Sequence, residues 1–131
     1  GPALDFRFTA FGAMLISKRM ARIVEEIGGD DVQILPARVG NDTEHWKVMN
    51  VVRVIDCIDH PRSKIQYYPP DHARYPGEPR GVMRLVIAPE RVDNHHIFIP
   101  FGWLPDTIVS ETLKSALEAA NISGIEFLRV S

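Results

Sequence analysis

Two carboxylates and an imidazole stand close together in the run Asp56-Cys57-Ile58-Asp59-His60-Pro61. Gathered around a pocket, Asp56, Asp59 and His60 would serve as an acid, a base or a ligand set. The plainer expectation is that aspartates ahead of Pro61 accept from the amides of a turn. Cys57, between Asp56 and Ile58, lacks the cationic neighbours that lower a thiol pKa, so it is expected as a small buried filler and not a nucleophile. His45, His60, His72, His95 and His96 include no pair at i and i+4, and a single cysteine forms no Cys-x-x-Cys. The spacing that holds a metal is therefore missing, and neither metal nor cofactor is expected. His95 and His96 are adjacent, point opposite ways in extended chain, and are expected as solvent-exposed loop residues. G-x-S-x-G, G-x-G-x-x-G, the P-loop and H-E-x-x-H are all absent, which removes the usual reasons to propose an enzyme.

A second group of residues carries recognition chemistry. Pro69, Pro70, Pro76, Gly77, Pro79 and Gly81 make Pro69 to Gly81 a loop by composition. In and beside it stand Tyr67, Tyr68, Arg74, Tyr75 and Arg80, with the acids Asp71 and Glu78. Tyr and Arg are frequent interface anchors because each buries a large area and keeps a polar end, and prolines reduce the entropy lost on docking. An ordinary solvated loop has the same composition. Nucleic acid is not the expected partner: only Arg74, Arg80 and Arg84 gather here, acids interrupt them, and the net charge is -2.

The elements that must carry these residues follow from periodicity. Leu4 to Phe11 alternates as a strand. Ser17 is placed to cap a helix over Lys18 to Ile27 that turns Met20, Ile23, Val24 and Ile27 inward, and Gly28-Gly29 ends it. Lys18 and Arg19 fall in its first turn, where the helix dipole disfavours cations. Val32 to Val39 is the return strand, with Pro36 at an edge or bulge. Trp46 to Ile55 is apolar on both faces and is expected as one long central strand, with Asn50 tying down a neighbouring loop. Ser63 to Tyr68, Val82 to Ile87 and Ile97 to Ile99 are shorter strands, and Pro89 to Val92 one helical turn. The unit from Ile108 then repeats the first: Ser110 falls on Ser17, Leu113 on Met20 and Leu117 on Val24. Asn121 and Gly124 end its helix, and Ile125, Phe127 and Val130 return as a strand.

This pattern defines an α+β fold: one mixed, mostly antiparallel sheet with two main helices in a pseudo-repeated strand-helix-strand unit. With 131 residues, 45% of them hydrophobic and 24% charged, the chain suits one core. Gly1-Pro2 reads as a tag scar and 3–131 as a single domain. No apolar run approaches the roughly 18 residues of a membrane span, and one cysteine favours a reducing, cytoplasmic setting.

Several stretches together resemble a known family. Ile97-Phe98-Ile99-Pro100-Phe101-Gly102-Trp103, Ile108-Val109-Ser110-Glu111, the helix with Leu113 and Leu117, and Ser123-Gly124-Ile125-Glu126-Phe127 are similar to the C-terminal signature of bacterial polymorphic toxin immunity protein family eleven. Val48-Met49-Asn50-Val51-Val52, Asp56 to Asp59 and Ser63 resemble that family's middle strand and turn. The likeness runs from the central strand to the end. It implies an immunity protein, or antitoxin, that binds a cognate toxin and occludes it without chemistry of its own. The expected contact set is Tyr67, Tyr68, Asp71, Arg74, Tyr75, Glu78 and Arg80. The alternative is a ligand-binding or enzymatic domain built on Asp56, Asp59 and His60.

Overall fold

The computed structural model describes residues 6–8, 14–103 and 106–130. In chain order the elements are β1 (Phe6–Phe8), β2 (Met14–Ser17), α1 (Lys18–Gly28), a 3-10 turn (Gly29–Asp31), β3 (Val32–Pro36), β4 (Trp46–Val51) and β5 (Val54–Ile55). Then follow β6 (Lys64–Tyr67), β7 (Pro79–Arg84), a second 3-10 turn (Pro89–Arg91), β8 (Ile97–Pro100), β9 (Ile108–Val109) and α2 (Glu111–Ala119). The fold is α+β and its strand pairing mostly antiparallel, but the strands form three sheets: β1-β2-β4-β3, β5-β8-β9 and the hairpin β6-β7.

Both expected helix caps are present. The Ser17 hydroxyl accepts from the Met20 amide at 3.1 Å and the Ser110 hydroxyl from the Leu113 amide at 3.1 Å, each satisfying a first-turn donor that has no partner inside its own helix. α1 and α2 then meet through the expected stripes. Ile16, Met20, Ala21, Val24, Met49, Ile97, Leu113 and Leu117 form one buried cluster drawn from both helices, from β2 and β4 of the first sheet and from β8 of the second. Gly28 lets α1 pass close to β8: a Cβ there would stand 3.1 Å from Ile97 Cγ2, and that side chain would have to shift by a few tenths of an ångström. The cations at the start of α1 find a use beyond that helix: the Arg19 guanidinium donates to the carbonyls of Ala120 and Asn121, at the C-terminus of α2, where the dipole favours positive charge. That end closes with Asn121 at φ 55° and the Ile122 amide on the Leu117 carbonyl at 3.1 Å, a Schellman closure.

Four expectations need correction. The long strand Trp46 to Ile55 is two strands. β4 pairs between β2 and β3, as a central strand should, but the chain leaves that sheet at Val52-Arg53, whose amides donate to the Asp31 carbonyl, and β5 joins β8 in the next sheet. Val52 and Val54 are about half exposed as a result. The return strand over Ile125, Phe127 and Val130 is absent: 125–130 is not strand, though Ile125 and Phe127 pack on the core. The physical reason is that β8 already has β5 and β9 on its two sides. Pro79 to Gly81, expected in a loop, opens β7, and that strand ends at Arg84 instead of Ile87. Asn50 meets its cross-strand neighbour Gln33 at 3.4 Å and not a loop. Leu4, Phe11 and the ends of the first expected strand lie outside the described residues.

Leu113 is fully buried where both helices meet the sheets. Leu113→Ala is expected to lower the unfolding free energy by about 2–5 kcal/mol, read as a reduced denaturant midpoint with the m-value unchanged.

Candidate functional site

The loop expected to carry recognition residues sits at the end of the β6-β7 hairpin, whose strands pair only with each other among the described residues. The hairpin is rooted by the chain on either side of it. Ser63 Oγ accepts from the Val86 amide at 2.9 Å, the Asp59 amide donates to the Val86 carbonyl at 2.8 Å, and Ala88 N donates to the Cys57 carbonyl at 2.7 Å. Away from this root, the segment from Tyr68 to Glu78 closes on itself. Tyr68 N donates to Glu78 O at 2.9 Å, His72 N to Pro69 O at 3.0 Å, Gly77 N to Pro69 O at 3.2 Å and Glu78 N to Tyr75 O at 3.2 Å. Such bonding order, with prolines fixing φ, leaves little loop entropy to lose on contact.

Three rings pack inside that closure. Tyr68 and His72 have centroids 4.5 Å apart, Tyr68 and Tyr75 5.3 Å, and His72 and Tyr75 5.9 Å in a stacked arrangement. Guanidinium groups lie beside two of them: Arg74 Cζ is 5.5 Å from the Tyr75 ring centroid and Arg80 Cζ 5.9 Å from that of Tyr68, both in cation–π range. His72 is also the turn's cap. Its Nδ1 accepts from the amides of Arg74 (3.2 Å) and Tyr75 (2.9 Å), so the ring proton sits on Nε2. Tyr67, the last residue of β6, is 51% exposed, and Met83 on β7 is 65% exposed. Asp71 and Glu78 are exposed in the same loop. The structure therefore brings Tyr68, Tyr75, Arg74 and Arg80 into one assembly, with Asp71 and Glu78 around it. It adds His72, which by sequence is a loop histidine without metal-ligand spacing. The 68, 72, 75 spacing was visible, but among three prolines it is not a helix face, and the stacking comes from the closed loop.

Asp56, Asp59 and His60 lie at the hairpin root, and the two carboxylates take different partners. Asp59 Oδ1 accepts from the Arg62 amide at 3.2 Å, the turn bond expected ahead of Pro61, with Arg62 Nε 3.7 Å from the other oxygen. Asp56 is exposed and 3.9 Å from Arg91. His60 is exposed. Cys57 is fully buried. Burial first, and the charge of Asp56 second, push its thiol above the ordinary value against the opposing pull of Arg91, the reverse of an activated nucleophile. Among the described residues no three His, Cys, Asp or Glu side chains gather as a metal site, and no helix is long and apolar enough to cross a membrane.

A polar centre that sequence reasoning missed lies at Asp31, 3% exposed and the one buried charge among the described residues. Its Oδ1 accepts from Arg53 Nε at 3.0 Å and from His95 Nδ1 at 2.7 Å, its Oδ2 from the His96 amide at 3.1 Å, and its carbonyl from Val52 and Arg53 amides at 2.9 and 3.2 Å. Burial, the largest single influence, pushes the carboxyl pKa up. The donors from Arg53, the His96 amide and His95 together outweigh it, and the net shift is downward. The two histidines are thus half-buried structural groups and not exposed loop residues. They do point apart: His95 turns to Asp31, His96 Nδ1 to the Ser110 hydroxyl at 2.8 Å. Nothing in Gly28-Gly29-Asp30-Asp31 distinguishes the buried aspartate from its exposed neighbour.

The α+β domain thus engages Asp31, His95, His96 and Cys57 internally and carries a closed aromatic-guanidinium loop at the end of a hairpin. The chain belongs to the immunity protein family Imm11, whose pattern it matches over residues 1–131. That match also spans the N-terminal part and the proline-rich loop, which lie outside the individual stretches that carry the likeness in the sequence. No curated protein matches the chain. Its role is accordingly that of an immunity protein of polymorphic toxin systems.

Asp31 also gives a pH signature. A carboxyl held below its unfolded value contributes stability that is complete above about pH 4 and is lost as pH falls through the lower folded value. Asp31→Asn is expected to cost toward the low end of about 3–5 kcal/mol at neutral pH, because Arg53 and His95 keep some water. The difference from wild type should shrink on acidification, measured by urea unfolding from pH 7 to pH 3.

Proposed function

We propose that the protein neutralises a cognate toxin by occlusion, without catalysis, and that the hairpin-end loop is the contact surface. The observation that carries this reading is the closed loop in which Tyr68, His72 and Tyr75 stack beside Arg74 and Arg80. Large rings held in place before contact bury area with little further loss of rotamer freedom, which is the property of interface anchors. Tyr67, exposed at the end of β6, extends this surface. Asp71 and Glu78 stand as rim charges suited to a basic toxin surface, as of a nuclease, where they would steer association more than hold the complex. Asp56 and Asp59, at the root, would engage only a partner that reaches along the hairpin. The cytoplasm, where a toxin would meet its antitoxin, belongs to the same reading, and so does a partner set of protein alone, without nucleic acid, membrane or cofactor.

The test is co-purification with the product of the adjacent toxin gene, together with survival of cells expressing that toxin. Complex formation and protection are expected, and the absence of both would sink the proposal. Tyr68→Ala and Tyr75→Ala, with unchanged far-UV circular dichroism, are each expected to weaken binding by about 2 kcal/mol or more, roughly thirtyfold in Kd. Glu78→Lys should instead slow association and flatten its salt dependence.

A further inference from the structure

The strands of the hairpin present a surface that the loop at their end does not account for. β6 and β7 carry three cations, Lys64, Arg80 and Arg84, and no acid. Arg80 lies against the Tyr68 ring. Lys64 and Arg84 are exposed and have no ion pair or side-chain hydrogen bond among the described residues, while the acid at the hairpin root, Asp59, is taken by Arg62. The register nevertheless sets Lys64 directly opposite Arg84, and like charges in a cross-strand pair repel. That pair suits a negative group brought from outside.

An apolar side chain stands on the same side. The pairing shifts twice, between Lys64 and Ile65 and between Gln66 and Tyr67, and each shift leaves one extra residue on β7, Met83 and then Arg80. The extra residues are both on β7, so β6 keeps its alternation from Lys64 to Gln66 and puts these two on one face. Gln66 Nε2 meets Met83 Sδ at 3.5 Å, which brings the methionine to that face, 65% exposed. A thioether on a flexible stem adapts to the shape of what it meets. The two bulges, with Pro79 in the strand, disfavour the addition of a further strand at the hairpin edge. Contact is therefore through the face.

We propose that the hairpin face with Lys64, Gln66, Met83 and Arg84 receives a segment of the cognate toxin that carries a carboxylate beside an apolar side chain. The inference rests on the reading of the hairpin as the toxin contact and adds the sign of the partner along the strands. The acids Asp71 and Glu78 of the loop meet basic groups, and the strands meet acidic ones. The occupant is a protein and not a nucleic acid: two unpaired cations neutralise few phosphates, the loop acids repel a longer strand, and a methionine offers a base no stacking platform.

The test uses the full chain and the product of the adjacent toxin gene. Carbodiimide couples a lysine amine to a carboxylate in direct contact, so the complex is expected to yield a cross-link from Lys64 to an aspartate or glutamate of the toxin, located by peptide mass spectrometry. Lys64→Arg keeps the charge, and should bind as wild type does while losing the link. Lys64→Glu and Arg84→Glu should each weaken binding about tenfold or more at low salt, with the loss shrinking as salt is raised. Lys64→Glu also turns a repelling pair into an attracting one, so the free protein should keep or raise its thermal midpoint, which separates lost contact from lost fold. Met83→Ser should weaken binding about five- to tenfold at every salt concentration. Toxin binding that Tyr75→Ala weakens and both charge reversals leave unchanged, or cross-links at Lys18, Lys47 or Lys114 without Lys64, would overturn this inference and leave the loop reading standing. Losses in the charge reversals with none in Tyr75→Ala would support the strand face and reject the loop. No complex in wild type overturns both. A mixed-sequence RNA oligonucleotide retarded by wild type and not by Lys64→Glu, with toxin affinity the same in the two, would overturn the protein occupant in favour of a phosphate backbone.

Discussion

The buried carboxylate of Asp31 is the constraint on which the arrangement of the two larger sheets depends. A charge removed from water is costly unless its oxygens are bonded, and leaving one without its partner costs about 3–5 kcal/mol. Here three donors come from two separate segments: Arg53 between β4 and β5, and the adjacent pair before β8, His95 on the same Oδ1 and the His96 amide on Oδ2. The Asp31 carbonyl adds Val52 and Arg53 amides. Each of these bonds is available only when the end of α1, the β4-β5 crossing and the approach to β8 are all in place together. The next residue along, His96, passes the constraint to α2 by bonding Ser110, the cap of that helix, through both ring and carbonyl. One aspartate thus reaches both helix ends and both sheets through direct or single-step contacts.

The same crossing explains why the two strand-helix units diverge. In the first sheet β4 is the middle strand, β2 leads into α1 and β3 returns on the other side of β4. In the second, β8 is the middle strand and β9 leads into α2, but the place where a return strand would lie is taken by β5, running parallel to β8. The chain supplies β5 by leaving the first sheet at Val52-Arg53. The broken long strand and the missing last strand are therefore one event, and in the tail the side chains of Ile125 and Phe127 pack on the core. The helices compensate at their ends: Arg19, badly placed for the dipole of α1, lies where the carbonyls of α2 need a donor.

Local signals made much of this legible. Ser17 and Ser110 as caps, Gly28-Gly29 and Asn121 as stops, and the stripes through Met20 and Leu113 are statements about one helix turn, and nothing distant competes with them. Trp46 to Ile55 misled because a run apolar on both faces reports burial and not which sheet does the burying. Asp31, His95 and His96 were illegible for a related reason: their partners are remote in sequence, and an aspartate in a turn looks the same whether it faces water or a guanidinium. In the hairpin, Tyr68, Tyr75, Arg74 and Arg80 could be picked by type, whereas the inclusion of His72 depended on a loop closure that composition does not encode.

The division of polar chemistry between interior and surface bears on what the molecule is for. Groups that elsewhere perform reactions are committed here to holding the chain: the Asp31 carboxylate to three donors, the Ser110 hydroxyl to a helix amide and His96, the Asp59 carboxylate to its turn, and the Cys57 thiol is shielded with its proton favoured. The rings and guanidinium groups of the hairpin end make their contacts mainly with one another and keep outward faces. An immunity protein has to present a surface already shaped for its toxin, since rearrangement on contact subtracts from affinity. A core fixed by remote polar contacts and a loop closed by its own backbone are ordered separately, so in its proposed role as the toxin contact the loop can vary while the core stays as it is.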